Sequence, residues 1–137
     1  MLNFLPGWLV GAVAMLLLSL NILFWVFILF LFSFLKFILP IRPLTKQIDK
    51  ILLWIAENWI SGNVLWMKLT QKTVWDVQGL KDLNYRGWYL VVGNHQSWAD
   101  IFVLQKLLNR RIPLMKFFLK RELIWVPLMG LAWWALD

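Results

Sequence analysis

The chain has 137 residues, a net charge of +7 and a hydrophobic fraction of 61%, which is far too apolar for an ordinary soluble domain and indicates a membrane protein. It has one histidine and no cysteine, which excludes disulfides, thiolate metal sites and a covalent thiol mechanism, and we predict no metal site. The pI of about 10.1 is compatible with nucleic-acid binding. However, the cations are scattered and no nucleic-acid module pattern is present, so no nucleic-acid partner is expected.

The amino-terminal region is predicted to be a membrane anchor over residues 1–40. Its apolar run exceeds the roughly 20 residues that one spanning helix needs, so it forms either a tilted spanning helix or a helical hairpin bent near Ser19 to Asn21. Pro40 and Pro43 are expected to end it. No Lys or Arg precedes the run, which predicts that the rest of the chain lies on the cytoplasmic face of the cell (inner) membrane. The cations that follow it are Lys36, Arg42, Lys46 and Lys50.

Residues 41–72 are predicted to form amphipathic interfacial helices. Apolar residues recur at helical spacing from Leu44 to about Ser61, and a second segment runs from Val64 to about Leu69 after an interruption at Gly62 and Asn63. The region also contains three tryptophans, which suit either the membrane–water boundary or packing against the domain core, and both alternatives stay open. These tryptophans are Trp54, Trp59 and Trp66.

Residues 73–137 are predicted to be an α/β domain. Thr73 to Gln78 and Trp88 to Val92 have the β-branched and aromatic composition of strands, and Pro113 to Leu119 is expected to be the next strand. The apolar periodicity from Trp98 to Leu108 predicts a helix, which gives a βαβ unit with a right-handed crossover. Further helices are expected at Lys120 to Trp125 and at Leu128 to Leu136.

A titratable pair follows the second predicted strand. His95 lies in a polar turn and Asp100 in the first turn of the next helix, a spacing too wide for neighbours on one helix face, so the turn must position them. A neutral imidazole can accept a proton from a hydroxyl, and a carboxylate on its other nitrogen fixes the tautomer. In a purely structural alternative, Ser97 and Asp100 form a variant of a capping box and His95 is an ordinary loop histidine. The two interpretations are compatible.

Two blocks resemble a known enzyme family. The segment Asn94-His95-Gln96-Ser97-Trp98-Ala99-Asp100 resembles the NHxxxxD block of the glycerolipid acyltransferases, in particular the 1-acyl-glycerol-3-phosphate acyltransferases of the PlsC type. The run from Lys120 to Gly130 is similar to that family's following K-x-x-L-x-x-x-P-x-x-G segment. The likeness covers about residues 73–137.

The resemblance implies an O-acyltransferase with His95 and Asp100 as catalytic residues and Ser97 and Lys120 as substrate-binding residues. The expected reaction transfers an acyl group from acyl-CoA or acyl carrier protein to the hydroxyl of lysophosphatidic acid, giving phosphatidic acid. Its partners are then membrane lipids, the lysophospholipid and the thioester donor, with no other cofactor and no acyl-enzyme. Apart from the resemblance, a group of cations either supplies positive potential for a substrate phosphate or belongs to a solvated or lipid-facing surface, and both alternatives stay open. These cations are Arg110, Arg111, Lys116, Lys120 and Arg121, of which Lys120 matches the family block.

The later family blocks that hold the substrate phosphate in relatives are not found in this sequence. We therefore expect residues 73–137 to be the amino-terminal part of a domain truncated at its carboxyl end, and the isolated chain to be inactive. Two alternatives stay open. One is an acyltransferase that uses another lysophospholipid or glycerol 3-phosphate as acceptor, and the other is a non-catalytic basic membrane protein.

Overall fold

The structure is a computed structural model that describes residues 5–117. These residues contain three helices, α1 (Gly7–Ile38), α2 (Arg42–Thr70) and α3 (Ala99–Leu108). The chain divides into two compact units. The described part of unit 1 comprises residues 5–19 and 60–115, and that of unit 2 comprises residues 20–59 and 116–117.

Helix α1 is one continuous element, so of the two predicted geometries the structure has the single helix and not the hairpin. Ser19 and Asn21 both lie inside the helix, which contains no proline to break it. Its 32 residues correspond to a length of about 48 Å, compared with about 30 Å for the hydrocarbon core of a bilayer. Within residues 5–117, α1 is the one helix that is long and apolar enough to cross a membrane, by length and composition only.

The end of α1 and the start of α2 confirm that Pro40 and Pro43 terminate the first helix. The interior of α2 differs from the prediction. Pro40 lies between the helices, and Pro43 lies in the first turn of α2, where a missing N–H breaks no helical hydrogen bond. The predicted interruption at Gly62 and Asn63 is wrong, since α2 continues through both residues. A glycine inside a helix costs only about 1 kcal/mol, and burial of the neighbouring α2 side chains offsets this cost. The buried neighbours are Ile60 and Met67.

In unit 2, the part of α1 from residue 20 onward packs against the part of α2 up to residue 59. The Nδ2 of Asn21 donates a hydrogen bond to the Trp59 carbonyl at 3.1 Å, and Lys36 Nζ lies 2.9 Å from Asp49 Oδ1. These pairs join early to late positions, so the two segments run antiparallel. Their contact excludes water from a small apolar core. The core residues are Leu29, Ile48, Leu52 and Ile55.

In unit 1, the late part of α2 contacts both the start of α1 and helix α3. Trp66 Nε1 donates a hydrogen bond to the Ala14 carbonyl at 2.9 Å, and the Trp66 ring centroid lies 5.6 Å from that of Phe102 on α3. Asn109 at the end of α3 donates through Nδ2 to Ser61 Oγ at 3.2 Å. Trp66 therefore packs within the protein, which was one of the two alternatives for the tryptophans, whereas Trp54 in unit 2 is 55% exposed.

The strands predicted at Thr73 to Gln78 and at Trp88 to Val92 are wrong, because residues 5–117 contain no strand. The α/β class is therefore not shown, and the described part of the chain is helical. The predicted strand at Pro113 to Leu119 is irregular as far as Phe117, and its last two residues lie outside the described part. The helices predicted at Lys120 to Trp125 and at Leu128 to Leu136 also lie outside the described residues.

Local contacts explain why residues 88–92 are not paired as a strand. Tyr89 folds back onto the preceding turn, where its hydroxyl oxygen accepts a hydrogen bond from the Asn84 N–H at 2.7 Å. Gly87 permits this contact, because a Cβ there would lie 2.6 Å from the Tyr89 ring. Trp88 is fully exposed and Leu90 is 80% exposed. A strand is stable only when a neighbour satisfies its backbone groups, and the described residues supply none.

Candidate active site

The turn that enters α3 confirms the predicted helix start within one residue. Helix α3 begins at Ala99, and its first turn is closed by the Asp100 N–H donating to the Ser97 carbonyl at 3.1 Å. Ser97 also contributes its side chain, since Oγ accepts a hydrogen bond from the Ala99 N–H at 3.2 Å. The polar turn and the helix are thus joined by short-range hydrogen bonds that the local sequence provides.

The Asp100 carboxylate turns back toward the residues that precede the helix. Its Oδ2 accepts hydrogen bonds from the Gln96 N–H at 2.6 Å and from the Ser97 N–H at 2.8 Å. These backbone donors, Ser97 first and then Gln96, lower the pKa of Asp100 below its ordinary value of 3.8, and His95 lowers it further. Asp100 is therefore ionised at neutral pH, and its carboxylate joins the first turn of α3 to the polar turn that precedes it. The N-cap position itself is Trp98, which makes no side-chain capping hydrogen bond.

His95 is brought to the same carboxylate oxygen. Its Nδ1 lies 3.3 Å from Asp100 Oδ2. The turn between the two residues thus brings their side chains together, as the His-x4-Asp spacing predicted. The imidazole is 66% exposed and the Asp100 side chain is 30% exposed. Because Nδ1 faces the carboxylate, Nε2 is the ring nitrogen that a substrate hydroxyl can approach. A single carboxylate oxygen thus accepts the two backbone hydrogen bonds of the turn and also contacts His95.

The other two predicted site residues have different outcomes. Ser97 lies in the same turn, where its hydroxyl oxygen already accepts the Ala99 N–H, and substrate binding by Ser97 stays a prediction. Lys120 lies outside the described residues. Among residues 5–117, no group of three His, Cys, Asp or Glu side chains is placed to hold a metal ion. The arrangement that these residues form can move a proton at an exposed imidazole.

The comparison with protein families bears directly on this pair. The Acyltransferase family model matches residues 74–137. We call these matched residues the acyltransferase region, and their similarity to that family extends over slightly less than half of the chain. The region contains His95, Asp100 and the whole of α3. No curated protein and no solved structure gave a match to the chain.

A second feature of the acyltransferase region was not identified from the sequence. The Nζ of Lys106 lies 3.2 Å from the centroid of the Trp75 ring, a cation–π contact. Trp75 falls in the strand predicted at Thr73 to Gln78, and Lys106 falls in the helix predicted from Trp98 to Leu108. The residues are 31 positions apart and belong to no shared motif, so no local pattern indicated that they meet.

Proposed function

We propose that this protein transfers an acyl group from an acyl thioester to the free hydroxyl of lysophosphatidic acid, giving phosphatidic acid for phospholipid synthesis. The observation that carries the proposal is the 3.3 Å contact between His95 and Asp100 inside the acyltransferase region. An exposed imidazole with a carboxylate on one nitrogen is suited to activating a hydroxyl. The choice of lysophosphatidic acid as acceptor is supported by the resemblance of residues 94–100 to the NHxxxxD block of the PlsC-type enzymes.

In the proposed reaction, His95 acts as a general base. Its Nε2 accepts the proton of the substrate hydroxyl as the hydroxyl oxygen attacks the thioester carbonyl carbon. A carbon–oxygen bond forms, the carbon–sulfur bond breaks, and the donor thiol leaves after taking a proton back from the imidazolium. The acyl group passes directly to the acceptor, so no covalent enzyme intermediate forms.

Asp100 supports this step in two ways. Its negative charge stabilises the imidazolium that forms during attack, and its contact with Nδ1 holds the tautomer in which Nε2 accepts the proton. The backbone hydrogen bonds from Gln96 and Ser97 keep the carboxylate ionised and fixed in place. Ser97 is proposed to contact the substrate in addition to closing the turn, and Lys120 is proposed to bind a substrate phosphate.

Membrane attachment fits a lipid acceptor. Exposed apolar side chains on α1 include Leu16, Leu20, Leu23, Phe27 and Leu31. Burial of such side chains in lipid is favourable by roughly 1.5–3 kcal/mol each. We propose that α1 spans the cell (inner) membrane and that the acyltransferase region lies on its cytoplasmic side, where the thioester donor and the membrane-bound lysolipid can meet.

The test is acyl transfer by the full reading frame that encodes this chain, including any codons beyond Asp137, in membranes supplied with labelled acyl-CoA and lysophosphatidic acid. His95→Ala should lower the rate of phosphatidic acid formation by on the order of 10²–10⁴-fold, the usual contribution of a general base. A His95→Ala enzyme with the wild-type rate would contradict the proposal.

The control separates chemistry from folding. Trp98→Phe changes an exposed neighbour of the pair and leaves both reacting groups in place, so its rate should remain near that of the wild type. Replacing lysophosphatidic acid with glycerol 3-phosphate or with another lysophospholipid measures the acceptor preference. A faster reaction with either of these would assign the enzyme to a different acceptor.

A further inference from the structure

A basic cleft lies within unit 1, between residues 75–82 and the last turn of α3. We define the basic cleft by Trp75, Lys81, Asp82, Lys106 and Arg111, and its volume is about 740 Å³. This volume lies in the usual range for small-molecule sites, about 300–1,000 Å³. Its charged lining consists of three cations and one carboxylate, so it favours an anionic ligand.

A second, smaller cleft of about 350 Å³ shares Lys106 with the first and contains Lys68 and Arg110. Together the linings bring five cationic side chains to the carboxyl end of α3 and one carboxylate, Asp82. A helix carboxyl terminus carries about half a negative charge, and one or two cations near it would suffice for that interaction. In the basic cleft itself, Lys81, Lys106 and Arg111 outnumber the single carboxylate of Asp82, so the lining attracts an anion.

Lys106 is the residue on which both clefts converge. Its ammonium lies over the Trp75 ring, which fixes it in the cleft at the cost of part of its hydration. This desolvation lowers the pKa of Lys106, and repulsion by Lys68 lowers it further. A bound phosphate would relieve that repulsion and offer charge-assisted hydrogen bonds to Lys106 and to the planar guanidinium of Arg111.

The position of the basic cleft relates it to the His95–Asp100 pair. Asp100 lies in the first turn of α3 and Lys106 in its last turn, six residues later, which corresponds to about 9 Å along the helix axis. Six residues also turn the helix by about 600°, so Asp100 and Lys106 lie on different faces of α3. A molecule that joins the cleft to the pair must therefore carry its phosphate well away from its reacting group. Both acyl-CoA and lysophosphatidic acid carry a phosphate apart from the reacting atom.

We propose that the basic cleft binds a phosphate group carried by one of the two substrates of acyl transfer, either the coenzyme A donor or the lysophospholipid acceptor. This inference rests on the proposed function. It assigns roles to Lys106 and Arg111 as substrate-binding residues and to Trp75 as the residue that positions Lys106. A cleft of about 740 Å³ has room for a small phosphate-bearing molecule.

The experiment measures binding to the full 137-residue chain in neutral detergent micelles by isothermal titration calorimetry. One arm uses coenzyme A, which lacks an acyl group and cannot react, and the other uses glycerol 3-phosphate, which carries the acceptor's phosphate. Joint replacement by Lys106→Gln and Arg111→Gln should weaken binding at least roughly tenfold, since each lost charge-assisted hydrogen bond is of that order. The wild-type affinity should also fall as salt is raised.

Two matched variants control this experiment. Lys50→Gln with Arg86→Gln removes the same charge from exposed positions outside the cleft and should leave binding unchanged. Lys106→Arg with Arg111→Lys keeps the charge and should retain most of the affinity. A loss in the coenzyme A arm assigns the cleft to the donor, and a loss in the glycerol 3-phosphate arm assigns it to the acceptor.

The proposal is overturned if neither ligand binds the wild-type chain, or if both bind the cleft variant as tightly as the wild type. It is also overturned if the cleft variant loses only its affinity for vesicles containing anionic lipid, which would indicate a membrane-contact surface. The His95→Ala chain should bind both ligands as the wild type does. If His95→Ala retains transfer activity, the proposed role of His95 is rejected. If the cleft variant nevertheless loses binding, the assignment of the cleft still stands.

Discussion

At the scale of single residues, the ionisation of Asp100 controls the turn before α3. Because its pKa is lowered by backbone donors, the stabilising effect of the carboxylate is fully present above the ordinary value of 3.8. It is lost as pH falls through the still lower pKa of the folded protein. We expect the amide signals of Gln96 and Ser97 in an NMR titration to report a midpoint for Asp100 below pH 3.8, and a midpoint above that pH would argue against these hydrogen bonds.

The two roles of Asp100 can be separated by Asp100→Asn in the full reading frame. The amide oxygen can still accept the N–H groups of Gln96 and Ser97, but it carries no charge to stabilise an imidazolium. We expect the turn to persist while the acyl-transfer rate falls by roughly 10²-fold or more. The rate and the two amide chemical shifts are the measurements. Unchanged activity with an unchanged turn would leave Asp100 a purely structural residue.

At the scale of elements, α2 is held to α1 by a few buried side chains in unit 2. Leu52 is 1% exposed in the apolar core, so Leu52→Ala should lower the free energy of unfolding by about 2–5 kcal/mol. Leu65→Ala removes the same atoms from a side chain that is 57% exposed, so it should change the free energy of unfolding by only about 0.5 kcal/mol. Denaturant titration of the helical circular dichroism signal in micelles measures both, and equal losses would contradict this packing.

At the scale of the whole molecule, α1 and the cations after it predict a membrane orientation. The chain has no cysteine, so a single introduced cysteine can be labelled without competition from other thiols of the chain. Trp8→Cys, near the start of α1, should react with a membrane-impermeant maleimide in intact cells, whereas Lys50→Cys should react only after permeabilisation. Both should react equally in detergent. Protection of both positions in intact cells would indicate that α1 does not span the membrane with its amino terminus outside.

The sequence predicted those features that depend on neighbouring residues. Pro40 and Pro43 set the boundary between α1 and α2 because proline restricts its own backbone, and the apolar periodicity after Trp98 located α3. The contact between His95 and Asp100 was predicted for the same reason, since a short polar turn and one helix turn determine it. Family resemblance adds the prediction that this pair performs acyl transfer.

The long apolar helix and the His-x4-Asp turn were thus determined by the sequence alone, because each depends on interactions between residues that are close together in the chain. Only the tertiary structure decided that α2 continues through Gly62 and Asn63, that residues 88–92 have no strand partner in the described part of the chain, and that Lys106 meets Trp75. Each of these outcomes depends on which distant surface is available to bury a side chain or to satisfy a backbone group, and local patterns do not carry that information.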